Sequence, residues 1–351
     1  MFSQNSDMLD ERAGNEIHLK ERPIGIPSEN NFELVRVRIP DLKQGDFLVR
    51  NVWLSVDPYM RGRMSENKSY LPPFELNKPL EGDCVGQIIE SKNRQFEVGE
   101  FLLSNFGWRE YWVSTGGNDI SKIAPTVAPL QSYLGIMGRT GLTAYVGLFI
   151  GGVNNSGTSN TVFVSAASGA VGSAACQIAK IKGCRVVGST SSPQKVKWLL
   201  DKAGLDYAFD YRKIGEENIS TELRKACPNG IDLYFENVGG RHLEAALDNM
   251  KVFGRIVLCG MISQYNSSQL PSTLPGPSNL NLAIRQRLRI QGFIVRDHYH
   301  MLNEFRGHMY KWIQEGKIKW EETVYQGLEN APKAFIALFR SEKLGKMLVK
   351  I

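Results

Sequence analysis

The chain is poor in the residues on which several kinds of function depend. Only five histidines and five cysteines are scattered through its 351 residues. The cysteines (Cys84, Cys176, Cys184, Cys227 and Cys259) are odd in number and have the spacing of neither a zinc site nor a disulfide framework. Cys176, Cys184 and Cys259 fall on predicted core elements, where a small apolar thiol is expected. The histidines show no pairing with a Ser or Cys nucleophile, and His298 and His300 read as surface residues at a helix start. No apolar run is long enough to span a bilayer, and the segment Met1 to Asn15 is polar, without an apolar signal core. The net charge of +6 is spread along the chain, and no basic run interleaved with aromatics marks a nucleic-acid stripe. A cytoplasmic globular protein binding neither nucleic acid nor membrane is the expectation. Its 42% hydrophobic and 22% charged residues are ordinary for that class.

What is present is a dinucleotide fingerprint. Val162-Phe163-Val164 reads as a buried parallel strand, followed directly by Ala167-Ser168-Gly169-Ala170-Val171-Gly172, the G-x-G-x-x-G pattern with alanine in first place. A helix then opens, with Val171, Ala174, Ala175, Ile178 and Ile181 at helical spacing and Gly183 as its C-cap. A bare backbone at Gly169 lets a pyrophosphate approach the helix N-terminus, and Gly172 lets helix and strand pack closely. A second strand, Cys184 to Gly188, follows. A cofactor without the extra phosphate would call for Asp or Glu near its end to hold the ribose 2′-OH. The chain instead reads Ser189-Thr190-Ser191-Ser192-Pro193-Gln194-Lys195, and hydroxyls with Lys195 suit a 2′-phosphate. The cofactor expected is NADPH.

Length and texture predict two domains. Residues 1–15 read as a disordered arm. Residues 16–138 alternate short apolar runs with Gly and Pro, as in Phe47 to Leu54 and Val85 to Ile89, which predicts a small β-rich domain completed by residues 305–351. Residues 139–304 alternate strands and amphipathic helices, which predicts a doubly wound parallel sheet inserted in the first domain. Further strands are expected at Ala208-Phe209-Asp210, Leu233-Tyr234-Phe235 and Arg255 to Leu258, and a loop at Pro271 to Pro277. The C-terminal stretch reads as a helix near 301–315, a strand near 319–325, a helix near 332–340 and a strand at Met347-Leu348-Val349.

The plan and its local words resemble the medium-chain dehydrogenase/reductases. Asp57-Pro58-Tyr59-Met60-Arg61, Gly141-Leu142-Thr143-Ala144-Tyr145, Glu236-Asn237-Val238-Gly239-Gly240, Cys259 to Asn266 and Leu344-Gly345-Lys346 stand in order. Over residues 16–351 the chain looks like the zinc-independent alkenal/one reductases: prostaglandin and leukotriene reductases, plant double-bond reductases and bacterial curcumin-reductase-like enzymes. The resemblance implies a GroES-like first domain, a Rossmann second domain and a homodimer. It also implies NADPH-dependent reduction of the carbon–carbon double bond of an enone or enal. It places Tyr265 beside the nicotinamide ribose as donor to a substrate carbonyl, and Tyr59 and Tyr70 at the substrate mouth. Tyr211, Asn237, Thr143, Cys259, Phe293 and Val295 join the fingerprint residues, Ser189 and Lys195 at the cofactor. Bland readings stand beside these: Tyr265 as pocket lining, Tyr59 as apolar wall, Tyr211 as an edge aromatic, Asn237 as an Asx-turn residue.

Metal is not expected. Zinc relatives of this superfamily ligate through Cys, His-Glu and Cys, whereas the first ligand region here reads Leu54-Ser55-Val56-Asp57 and the second Glu81-Gly82-Asp83. Two positions depart from the family: Lys343, where many relatives carry Asn, and Arg139, where an apolar residue is common. The rival readings are an NADPH:quinone reductase, and an NADPH-binding protein without turnover.

Overall fold

The computed structural model describes residues 12–67, 69–153, 160–267, 274–340 and 342–351. The chain divides into two compact units. One comprises the described residues through Leu134 with Thr323–Glu342 and Met347–Ile351, and the other comprises Gly135–Glu322 with Lys343–Lys346.

The first unit begins with the strands β1 (Ala13–Leu19) and β2 (Phe32–Arg38), an antiparallel pair. Ala13 lies opposite Arg38, so residues 13–15 belong to a strand and not to an arm; residues 1–11 lie outside the described part. Then come β3 (Phe47–Ser55), a single helical turn α1 (Met60–Arg63), β4 (Cys84–Ser91), β5 (Phe101–Ser104), β6 (Tyr111–Ser114) and β7 (Ser121–Ile123). Alternation along these strands sends Phe47, Val49, Ile88, Leu102 and Trp112 into one apolar cluster. A second cluster gathers Ile17, Leu19, Phe32, Trp108 and Phe335, with the Phe32 and Trp108 rings stacked 5.8 Å apart.

The second unit runs α2 (Arg139–Ile150), β8 (Thr161–Val164), α3 (Ala170–Ile181), β9 (Arg185–Thr190), α4 (Pro193–Asp201), β10 (Tyr207–Asp210), α5 (Tyr211–Ile214), α6 (Ile219–Ala226), β11 (Ile231–Glu236), α7 (Gly240–Asn249), β12 (Met250–Leu258), α8 (Leu282–Gln286), β13 (Arg289–Gly292) and α9 (Leu302–Gln314). Its six strands lie in the order β10-β9-β8-β11-β12-β13, all parallel. The order reverses between β8 and β11, and ligands of such sheets collect at the carboxyl ends there. The core is built from Phe163, Val187, Phe209, Tyr234 and Ile256, and the central strands β8 and β11 are buried almost throughout and carry near-continuous apolar runs. Past α3, Gly183 takes φ +87°, the left-handed residue that ends the helix.

The chain returns to the first unit as β14 (Glu322–Gln326), α10 (Ala331–Ala337) and β15 (Lys346–Lys350), with β15 beside β3. The expected return at residue 305 comes later, at Thr323. Helix α9 stays with the second unit because Phe305 and Trp312 pack on Tyr145 of α2, and the Tyr145 hydroxyl bonds Glu304 at 2.6 Å. Strand β13 was not foreseen; it is four residues long and mostly exposed. Of the Pro271–Pro277 loop, 271–273 lie outside the described residues, and 274–277 form neither helix nor strand.

One buried group of this unit gives a pH prediction. His242 on α7 is 2% exposed, its ring edge-on to Tyr211 at 4.9 Å, and burial holds its imidazole down to about 4. The unfolded chain takes the proton near pH 6.5, so the stability linked to a neutral His242 is complete above that pH and is lost as pH falls toward 4. At 1.36 kcal/mol per unit the loss is on the order of 3 kcal/mol. His242→Phe should therefore flatten the stability curve between pH 6.5 and 4, measured by urea unfolding. An unchanged slope would remove His242 from the acid limb.

Candidate active site

At the switch point the chain leaves β8 through a turn that few side chains tolerate. Ala166 takes φ +47°, left-handed without being glycine. A Cβ on Gly172 would lie 2.3 Å from the Ala166 carbonyl oxygen and 2.9 Å from Ala167 Cα, so α3 touches the turn backbone directly. Gly169 is the N-cap of α3 and offers no side-chain bond to the first turn. The first-turn N–H groups thus lack a partner within the helix, the arrangement by which a helix N-terminus receives an anion. Gly169, Ala170 and Val171 are half-exposed, while Ala167, Ser168 and Gly172 are buried. The fingerprint accordingly splits into residues that can touch a ligand and residues that shape the turn. Ser168 does the latter: its Oγ lies 2.6 Å from Thr190 Oγ1, and its carbonyl accepts Gly345 N–H at 2.9 Å.

The end of β9 carries the predicted hydroxyls and lysine. Ser192 caps α4, accepting Lys195 N–H at 3.4 Å, with Pro193 opening the helix. Lys195 is half-buried, and its Nζ donates to Ser191 Oγ at 3.0 Å. Ser189 is fully buried, and its Oγ has no hydrogen-bond partner among the described residues. The hydroxyl predicted at Ser189 is thus enclosed within β9 and not open to a ligand, whereas the half-buried Lys195 cation fits the phosphorylated ribose of NADPH. Tyr211 follows β10 and packs on His242.

Strand ends β8, β11 and β12 are tied by a buried acid, Glu236, that no local motif marks out. Glu236 is 0% exposed; its Oε1 accepts Ser165 Oγ at 2.9 Å and Val238 N–H at 2.6 Å. Burial pushes its carboxyl up. Its backbone oxygen accepts Cys259 N–H at 3.0 Å, and burial raises the Cys259 thiol to about 12, an inert group at neutral pH. The Asn237 side chain donates to the Ser165 carbonyl at 2.8 Å and staples β11 to β8.

Tyr265 sits just past β12. Its turn is anchored to the β11 end through Ile262 N–H to Asn237 O and Ser263 N–H to Val238 O, at 3.2 and 3.1 Å. The phenol oxygen accepts Met261 N–H at 3.3 Å, a bond that uses a lone pair and is compatible with the O–H donating to another group. Thr143 on α2 is half-exposed, and the Phe293 ring packs against Gly147 one turn along the same helix, next to half-exposed Val295. The cofactor candidates lie past the carboxyl ends of strands of one sheet or on α2, except Ser189, which is buried within β9. Tyr59 and Tyr70 belong to the first unit: Tyr59 packs against its core, and Tyr70 is 52% exposed.

At the positions of the zinc ligands in distant relatives, Ser55 Oγ bonds the Asp57 carboxylate and Glu81 pairs with Arg63 at 2.8 Å. Among the described residues no group of three or more His, Cys, Asp or Glu is placed to hold a metal ion. The donor set does not fit zinc.

A six-stranded parallel sheet with its glycine turn at the switch point, in one chain with a largely antiparallel β unit, is the plan of the medium-chain dehydrogenase/reductases. Family models described as "N-terminal domain of oxidoreductase" and "Zinc-binding dehydrogenase" match residues 15–123 and 170–315. The chain is 40% identical to a 2-alkenal reductase (NADP(+)-dependent) of Nicotiana tabacum, over 98% of this chain and 99% of that one. It is 42% identical to prostaglandin reductase 1 of Bos taurus, over 95% and 97%. The solved structure of CurA from Vibrio vulnificus in complex with NADPH superposes with a TM-score of 0.88 at 42% identity, covering 96% and 98% of the two chains. The chain belongs to the alkenal/one reductase family of that superfamily.

Proposed function

We infer that this protein reduces the carbon–carbon double bond of α,β-unsaturated ketones or aldehydes with NADPH. The observation that carries the reading is a phenol, Tyr265, held past the carboxyl end of β12 in a sheet whose strand β9 is followed by the half-buried cation Lys195. When bound, NADPH supplies a hydride to the electrophilic β-carbon of the enone. Negative charge then develops on the substrate oxygen. The Tyr265 phenol donates to that oxygen as the charge grows, and solvent supplies the α-carbon proton. The first turn of α3 would orient the pyrophosphate, and Lys195 would hold the phosphorylated ribose. Asn237 and Glu236 keep the turns around Tyr265 in register, and Tyr59 and Tyr70 are the first unit's candidates for substrate contact. No metal takes part.

Replacing Tyr265 by Phe should lower the single-turnover hydride-transfer rate on the order of ten- to a hundredfold, about 1.4–2.7 kcal/mol in the barrier, while NADPH affinity holds. One lost oxyanion donor elsewhere costs about 2.7–4 kcal/mol, and here a ribose hydroxyl remains as second donor. An unchanged rate would leave Tyr265 as pocket lining.

The reading includes a homodimer in the cytoplasm. Strand β13 is an edge of the six-stranded sheet, and Val252, Phe253 and Ile290 are exposed, 69% for Phe253. Sedimentation at the monomer mass would contradict it. Five free thiols suit a reducing compartment, and no helix among the described residues is long and apolar enough to cross a membrane.

A further inference from the structure

The sheet brings Arg212, which follows β10, beside the Lys195 segment that follows β9. Strands β9 and β10 run parallel with Thr190 beside Asp210, so the segments that follow them, Ser191–Lys195 and Tyr211–Arg212, leave the sheet side by side. The Asp210 side chain caps α5, accepting Arg212 N–H at 3.0 Å and Lys213 N–H at 3.4 Å, which fixes the Arg212 backbone in the first turn. Lys195 is set on the neighbouring strand end by its bond to Ser191 Oγ. The two cations are near enough to act on each other: the Lys195 ammonium is held below its ordinary range by burial and then by the Arg212 charge, with Asp210 offsetting part of this. A fold that puts like charges together at the rim of a ligand site gains from that arrangement when a dianion lies between them.

We propose that Arg212 is a second anchor for the cofactor's 2′-phosphate, closing on it from α5 opposite Lys195 on α4, and that the pair sets the preference for the phosphorylated cofactor. A phosphomonoester carries about −1.5 to −2 charge at pH 7 and three acceptor oxygens, enough for an ammonium and a guanidinium fork together. The proposal rests on NADPH being the cofactor and is independent of which substrate is reduced.

The test is calorimetric binding of 2′,5′-ADP and 5′-AMP, and of NADPH and NADH, to the full chain and to Arg212→Ala, Arg212→Lys and Lys195→Ala. Arg212→Ala should weaken 2′,5′-ADP and NADPH about tenfold, the low end for a charge-assisted bond because Arg212 is exposed. It should change 5′-AMP and NADH less than about twofold, reduce the salt dependence of NADPH binding, and be partly rescued by Lys. Equal weakening of both members of each pair, or a wild-type 2′-phosphate preference that survives Arg212→Ala, would overturn the role of Arg212 alone. A wild-type chain that binds 2′,5′-ADP no tighter than 5′-AMP would overturn the cofactor reading and Arg212 with it. Thermal unfolding of each variant separates a binding loss from a folding loss.

Discussion

Lys195→Glu should cost at least about a hundredfold in NADPH affinity while leaving NADH within a few-fold. The lysine is half-buried and fixed by Ser191, so its charge is poorly screened and already oriented. Losing one charge-assisted bond is worth about 1.5–3 kcal/mol, and a carboxylate set against the 2′-phosphate adds repulsion to that loss. NADH carries a hydroxyl there, which a carboxylate can accept from, so its affinity has no reason to fall far. Fluorescence titration of both cofactors reads the difference. Equal losses would place Lys195 outside the 2′-phosphate site.

The second large effect is expected at Gly172. A valine there puts its Cβ 2.3 Å from the Ala166 carbonyl oxygen, and both that atom and Ala167 Cα belong to the backbone, so no side chain can swing aside. The strained turn at Ala166 is moreover held at its other end, where Ala167 N–H bonds the Ser189 carbonyl at 2.9 Å and Gly169 N–H the Ala166 carbonyl at 2.9 Å. Helix α3 must move away from β8, which loses packing and displaces the N–H groups that face the pyrophosphate. A loss of about 3 kcal/mol or more is expected, a fall in Tm of roughly 6–12 °C, together with weaker binding of NADPH and NADH alike. Gly172→Ala should show a smaller version of both. Wild-type Tm and affinity in the valine variant would mean that the turn is not the rigid cradle described here.

These two residues were legible in the sequence because their signals are local. A glycine at fixed distance from a strand and a missing acid at the end of the next strand are visible within some thirty residues. What escaped depends on neighbours distant in the chain. Arg212 becomes a candidate only once β10 is known to lie beside β9. Glu236 reads as part of a family word, and only the fold shows that it is buried and bonded to Ser165, 71 residues away. Strand β13 is short, exposed and rich in polar residues, so it lacks the apolar run that revealed its sister strands. Helix α9 was recognised as a helix but assigned to the wrong unit, because its amphipathic pattern says that one face is buried and not against what; Tyr145 supplies the answer. Asn237 carried two readings, and the structure offers a third, a staple between strands. The departures Arg139 and Lys343 are placed at the first residue of α2 and beside the Leu344-Gly345-Lys346 segment, and nothing in the structure explains either substitution.

The central claim is that hydride goes to carbon β to a carbonyl and not to the carbonyl itself. It is tested most directly by turning over an aryl enone with excess NADPH in the presence of a strong chelator and identifying the product by NMR. The account predicts the saturated ketone, with deuterium from labelled NADPH at the β-carbon, solvent hydrogen at the α-carbon, and a rate indifferent to the chelator. An allylic alcohol as product, a rate abolished by chelation, or turnover of quinones with none of any enone or enal would contradict it.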